Sequence, residues 1–277
     1  MTKQIKNKHN ILIFGATGFL GSAIYKELCA YFNTFGTYRT ETKALAKNQH
    51  LFHYVLEEDD ATEIIEAVKP TIIISALRGN FGAQIVAHFH MVEYVKNNNC
   101  KLLFLSSANV FDAYSQYPSY EQDKTLSLSK FGYFKIKIEN MLLRLPKKKY
   151  AILRLPMVFG KQSPRITEIK AFYKAKEAIE VFPNLILNVA TDFKITQQIH
   201  YIINRNKCGV YHLGSNDLVH YNDFIIEIAQ TLELKNPILK QVYTTNNDRY
   251  LAVLPKHNIL PKHLQYNSNF IINELKQ

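Results

Sequence analysis

The sequence predicts an α/β protein: a doubly wound parallel sheet followed by a smaller C-terminal lobe. Three observations carry this. Short apolar runs alternate with amphipathic segments over residues 1–155, the runs are apolar on both faces, and a glycine-spaced turn, GATGFLG, joins the first run to the first amphipathic segment. Strands alternating with helices of this length imply βαβ units. Strands apolar on both faces suit a sheet covered by helices on each side.

The elements follow in order. NILIF (10–14) is a buried strand, and Leu20, Ile24, Leu28 and Tyr31 then recur at helical spacing. TFGTY (34–38) and LFHYV (51–55) read as strands, ATEIIEAV as a helix stopped by Pro70, and TIIIS (71–75) as a strand. A long helix, AQIVAHFHMVEYVKNN, leads to the strand KLLFLSS (101–107), the amphipathic segment SLSKFGYFKIKIENMLLRL (127–145) and the strand YAILRL (150–155). Beyond Pro156 the rhythm loosens. Helices are expected at about 166–179 and 196–203, then a strand in GVYHLG and a helix in YNDFIIEIAQTLEL with Asn222 or Asp223 near its cap; LPKHNILPKHLQYNSNF reads as irregular. The expected division is a dinucleotide-binding domain over 1–160 and a substrate-binding lobe over 161–277, with about 185–213 returning to the first domain's sheet.

Gly15, Gly18 and Gly21 stand in GxxGxxG spacing between a strand and a helix. The first allows a sharp turn, the second a close approach of backbone to a pyrophosphate, and the third tight helix–strand packing, with phosphates resting on the helix N-terminus. The expected fold is therefore Rossmann-type, with Gly15, Thr17, Gly18, Phe19, Leu20 and Gly21 around the cofactor. An acidic residue at the end of the second strand would hold the ribose of NAD. Here the stretch reads TYRTETK, and Arg39 can pair with a 2′-phosphate, which favours NADP(H) over NAD(H).

Composition narrows the function classes. A chain of 277 residues, 47% hydrophobic and 21% charged, can bury a full core. No apolar run nears the ~20 residues that span a bilayer, so no membrane partner is expected. MTKQIKNKHN lacks an apolar region after its basic start and reads as a disordered lead-in, not a secretory signal. Cys29, Cys100 and Cys208 have neither disulfide nor zinc spacing and suit a reducing, cytoplasmic setting. Net charge is +11, but no basic stripe is interleaved with aromatics, and KKKY at 147–150 reads as a solvated helix end, so no nucleic-acid partner is expected. His88 and His90, two apart on a helix, diverge, and no metal is expected.

GxxGxxG, then LSSANVFD after a later strand, then PSYEQD, then FGYFK together resemble the extended short-chain dehydrogenase/reductase superfamily, specifically its dTDP-4-dehydrorhamnose reductase-like, epimerase/dehydratase-related branch. That branch reads STDYVFDG, PYxExD and YGxxK. The likeness covers most of the chain and is strongest over 10–160. It implies an oxidoreductase that passes hydride between a nicotinamide and a nucleotide-linked keto-sugar, with a homodimer allowed. Position by position, Ser107 takes the Ser/Thr that holds the carbonyl oxygen, and Lys135 takes the lysine that binds the nicotinamide ribose and lowers a tyrosine pKa. Phe131 stands where that tyrosine belongs. Tyr133 lies about 200° around the helix from Phe131 and faces away from Lys135; Tyr114, Tyr117 and Tyr120 are alternative acids. The resemblance also puts Ser75 and Ala76 beside the cofactor, with Arg78 in the same loop. Arg154 and Pro156 match the strand and loop that lead to the lobe, where Arg165 and Arg249 are candidate diphosphate ligands. An impaired NADP- or sugar-nucleotide-binding regulatory protein of the same fold is the alternative that Phe131 raises.

Overall fold

The computed structural model describes residues 7–276; the expectation for residues 1–6 of the lead-in lies outside them. In chain order the elements are β1 (Asn7–Phe14), α1 (Phe19–Cys29), β2 (Phe32–Tyr38), α2 (Lys43–Ala46), β3 (Leu51–His53), α3 (Ala61–Val68), β4 (Ile72–Ser75), α4 (Phe81–Asn97), β5 (Lys101–Ser107), α5 (Lys130–Leu143) and β6 (Tyr150–Leu155). Single 3₁₀ turns occupy Ala108–Phe111 and Lys147–Lys149. The chain continues through β7 (Met157–Phe159), α6 (Pro164–Ala175), β8 (Ile179–Val181), β9 (Leu185–Leu187), β10 (Val189–Thr191), α7 (Asp192–Asn204), β11 (Gly209–His212), β12 (Val219–His220), α8 (Tyr221–Thr231), β13 (Leu239–Gln241), β14 (Arg249–Tyr250) and α9 (Asn269–Lys276).

The fold is the expected Rossmann-type arrangement. A seven-stranded sheet runs in the order β11-β6-β5-β4-β1-β2-β3. β1 pairs in parallel with β2 and β4, as do β2 with β3 and β4 with β5. The chain builds outward from β1 to β3, then returns to lay β4 on the other side of β1. The carboxyl ends of β1 and β4 therefore frame the switch point where ligands bind in open α/β sheets.

The chain forms two compact units. Of the described residues, one comprises 7–106, Phe134–Leu153 and Ile199–Val210; the other comprises Ser107–Tyr133, Arg154–Gln198 and 211–276. Each has its own core. In the first, Leu12 and Phe14 of β1, Ile73 of β4, Phe104 of β5, Met91 of α4 and Ile138 of α5 are buried together. In the second, Phe159, Ile166, Leu187, Phe224, Ile228 and Ile272 form the apolar centre. A fully buried side chain of this kind contributes roughly 1.5–3 kcal/mol relative to exposure.

Local chemistry sets the ends. Asp60 caps α3 by accepting from Thr62 N (2.8 Å), Asn80 caps α4 through Ala83 N (3.0 Å), and Ser163 caps α6 through Ile166 N (3.2 Å) with Pro164 in the first turn. Several expectations are corrected. The helix expected at 166–179 stops at Ala175, because Lys176 turns left-handed (φ 58°) and returns its N–H to Phe172 O and Tyr173 O. The helix α8 does carry Asn222 and Asp223 next to its cap, as expected: the cap itself is His220, and the two side chains hydrogen-bond each other at 3.0 Å in the first turn. The tail is not wholly irregular: α9 begins at Asn269, after Asp217 binds Ser268 N and Oγ. Lys149 is not a solvated lysine; its Nζ donates to Val95 O and Asn98 O, both at 2.6 Å, closing the carbonyl end of α4.

Candidate active site

In the first unit, the turn after β1 is pressed against its neighbours. Gly15 has φ +83°, donates to Thr37 Oγ1 at 2.9 Å, and would bring a Cβ to 2.8 Å from Ala76 O. Ala16 N donates to Thr37 O at 3.0 Å, and a Cβ on Gly21 would overlap Gly15 O. Both glycines are thus required by packing as well as by any ligand. Gly18 differs: its φ is −73° and a Cβ would meet only Gly15 O at 3.4 Å. Gly18 opens α1 without a side-chain cap, and no acidic residue sits in the first turn. The N–H groups of that turn lack intrahelical partners, so the helix end around Thr17, Phe19 and Leu20 suits an anion.

The end of β4 adjoins this turn. Ala76 N donates to Phe14 O at 2.9 Å, while Ser75 Oγ is buried without a hydrogen-bond partner among the described residues. An orphaned hydroxyl beside a glycine cradle at the switch point fits a dinucleotide. Arg78 is exposed. Arg39 follows β2 directly; its guanidinium is 69% exposed and lies 3.9 Å from Glu57.

Lys135 belongs to the same unit and is buried. Its Nζ donates to Leu105 O at 2.9 Å and lies 4.6 Å from the Phe104 ring centroid. Burial pushes its pKa down to about 8, and the Glu139 carboxylate one turn on opposes that fall. Glu139 is itself 1% exposed and accepts from Ser106 Oγ at 2.5 Å. From α4, His88 packs edge-on against Phe104, and its Nδ1 lies 2.6 Å from Gln84 O, which assigns the ring proton to Nδ1. Burial, with Lys135 adding to it and the Gln84 bond opposing it, pushes His88 down to about 3, so the imidazole is neutral. The expected divergence of the two histidines is observed: His90 pairs instead with Asp60 at 2.8 Å.

The second unit holds the other candidates. Ser107 Oγ donates to Asn109 Oδ1 (3.0 Å) and accepts from Asn109 N (3.2 Å), opening the 3₁₀ turn that follows β5. Phe131 lies in the first turn of α5 and is 39% exposed. That turn is fixed by Asp112, which accepts from Leu128 N (2.7 Å) and Ser129 Oγ (2.5 Å), while Ser129 Oγ accepts from Gly132 N (3.0 Å). A Cβ on Gly132 would overlap Asn109 O and Ser127 Oγ, which explains a glycine after Phe131. Tyr133 and Tyr117 are exposed; Tyr120 lies under Lys256 Nζ (5.2 Å), and Tyr114 lies beside Phe111. Arg154 is structural: it donates to Glu121 O at 3.2 Å and lies 4.8 Å from the Phe111 ring centroid. Arg165 hydrogen-bonds Tyr221, and Arg249 has a buried Nε without a partner among the described residues.

The sequence does not single out Glu139 or Ser106, and it brings His88 forward only as one of two diverging histidines. Glu139 was legible in principle as the residue four after Lys135; Ser106 was not, since a strand serine carries no local signal. Among the described residues, no helix is long and apolar enough to cross a membrane, and no cluster of His, Cys, Asp or Glu could hold a metal ion.

No curated protein sequence matches the chain. A dTDP-4-dehydrorhamnose reductase from Bacillus anthracis str. Ames, in complex with NADP, matches with a TM-score of 0.77 at 18% identity over 97% of this chain and 99% of that one. A dTDP-4-dehydrorhamnose reductase from Yersinia enterocolitica matches at 0.74 and 18% over the same shares. A dTDP-glucose 4,6-dehydratase from Bacillus anthracis str. Ames, in complex with NAD, matches at 0.78 and 15%, over 97% and 96%. At these identities the likeness speaks for the fold. The family model described as RmlD substrate binding domain matches residues 9–262, and the chain belongs to that family.

Proposed function

We propose that the chain binds a nicotinamide dinucleotide at the Gly15–Gly21 turn and acts as an oxidoreductase on a nucleotide-activated keto-sugar. The observation that carries this is the glycine turn at the β1/β4 switch point, where α1 begins uncapped beside the orphaned Ser75 hydroxyl. The relatives solved with NADP and with NAD support the class of cofactor. Gly18, Phe19 and Leu20 hold the pyrophosphate, Ser75 and Ala76 flank the cofactor, and Lys135 binds the nicotinamide ribose. Arg39 holds a 2′-phosphate and selects NADP(H), exchanging its long contact with Glu57 for a charge-assisted pair. A bound nicotinamide supplies the hydride. Ser107 donates to the substrate carbonyl oxygen once its bond to Asn109 is released, and the homologous tyrosine's proton is absent at Phe131, so water or substrate supplies it.

Two observations favour a second reading, a dinucleotide- or sugar-nucleotide-binding protein with impaired turnover: Phe131 has no transferable proton, and the Ser107 proton is committed to Asn109. Thermal shifts with NADPH and NADH test the cofactor assignment. A larger shift with NADPH, lost in Arg39→Ala, is expected. Equal shifts would remove the case for Arg39, and no shift with either would remove the dinucleotide.

A further inference from the structure

Lys135 and Glu139 are four residues apart on α5, lysine first. That order is the less favourable one for helix stability, where the acid is preferred on the N-terminal side. A buried ion pair is also no more stabilising than apolar residues of similar size. Neither helix propensity nor packing therefore accounts for a carboxylate that is 1% exposed at this position. The two buried side chains, one helical turn apart on α5, meet adjacent residues of β5: the Lys135 ammonium donates to Leu105 O and the Glu139 carboxylate accepts from Ser106 Oγ. The groups around Lys135 include the Phe104 and Phe134 rings and the Leu105 carbonyl, and neutral His88 of α4 packs edge-on against the same Phe104 ring. Glu139 is the group that acts against burial. It is fixed in turn by β5: side chains alternate along a strand, so Ser106, next to Ser107, points inward and donates to Glu139 Oε1 at 2.5 Å.

We propose that Glu139 is a positioning residue for Lys135: its carboxylate, oriented by the Ser106 hydroxyl, holds the buried ammonium in place and in its charged form for contact with the dinucleotide. This rests on the reading that Lys135 binds the cofactor ribose. The functional unit is then Ser106–Glu139–Lys135, with α5 locked to β5 through the same contacts.

The test measures Lys135 directly. The full chain carrying ¹³C-lysine is titrated by NMR, with Lys135→Arg identifying the resonance, in wild type, Glu139→Gln and Ser106→Ala. The expected wild-type midpoint is near 8. Glu139→Gln lowers it by roughly one unit or more, and Ser106→Ala lowers it less. NADPH affinity measured over the same pH range falls as Lys135 loses its proton, and in Glu139→Gln that loss sets in at correspondingly lower pH. A purely structural role would instead weaken NADPH equally at all pH values. An unmoved Lys135 midpoint in both variants overturns the proposal, as does a uniform, pH-independent loss of affinity. If Glu139→Gln does not fold, Ser106→Ala alone decides by the same midpoint. If the midpoint moves while NADPH binds no variant at any pH, the Glu139 assignment stands and the cofactor reading fails.

Discussion

Gly18→Ala separates what the turn needs for folding from what it needs for a ligand. Gly18 sits at φ −73° and ψ 168°, open to any L-residue, and an added Cβ meets only Gly15 O at an ordinary 3.4 Å. The substitution should therefore leave stability unchanged or raise it by ~0.4–1 kcal/mol, through a less flexible unfolded chain. The same methyl obstructs the close approach of backbone to a pyrophosphate. A steric conflict of ~1–3 kcal/mol weakens NADPH roughly 5–150-fold. Gly21→Ala is the contrast: its Cβ overlaps Gly15 O, so it should lose stability by ~1–3 kcal/mol as well as binding. Urea unfolding and fluorescence titration with NADPH, run on both variants, read the two effects. If Gly18→Ala binds NADPH like the wild type, or loses more than ~1 kcal/mol of stability, the assignment of this glycine to ligand contact is wrong.

Lys135 makes a second prediction. Its pKa falls from 10.5 to about 8 on folding, so between those values the unfolded chain holds more protons and stability rises with pH, by on the order of 3 kcal/mol in full. Unfolding of Lys135→Met by urea at pH 7.5 and 9.5 should lack that rise, while other high-pH groups cancel in the comparison; an equal rise in both proteins refutes it. Glu121 is buried, which alone would raise its pKa, but the N–H groups of Asn258, Lys256 and His257 outweigh burial and lower it. Its contribution is present above its ordinary value of 4.5 and is lost as pH falls through the folded value, so Glu121→Gln should cost ~1–3 kcal/mol at pH 7 and progressively less in acid, as followed by circular dichroism. Ser129→Ala removes the hydroxyl that joins Gly132 N to Asp112 and should cost ~1 kcal/mol in thermal unfolding. Phe131→Tyr adds a hydroxyl to a side chain already 39% exposed and should shift stability by less than ~0.5 kcal/mol.

Much of the first unit was legible because its signals are local. Ile11–Ile13 and Ile72–Ile74 are apolar on both faces, and glycine spacing with a strand before and a helix after needs no distant partner to be read. Phe131 and Lys135 stood out only through the resemblance of FGYFK to the YGxxK of the reductase-like branch. The second unit was less so. β7 to β10 and β12 to β14 are two or three residues long, too short to show any periodicity, and their existence depends on pairings such as Arg249 with Leu185 that sequence does not reveal. Residues that act through burial were also hidden. Glu139 carries no signal of its own in the sequence, His88 stands out only as one of two diverging histidines, and Lys149 reads as part of a solvated helix end, until the fold brings a strand serine, an aromatic face or a helix end against them.

The proposed function is nucleotide-sugar reduction, with Phe131 standing where the resemblance expects a proton-donating tyrosine. The most direct measurement is NADPH oxidation with dTDP- and UDP-linked keto-sugars, comparing this chain with Phe131→Tyr. Slow turnover by the chain and an increase of ~10²–10⁴-fold in the variant are expected. No turnover of any such sugar by either protein, with NADPH bound to both, would contradict it.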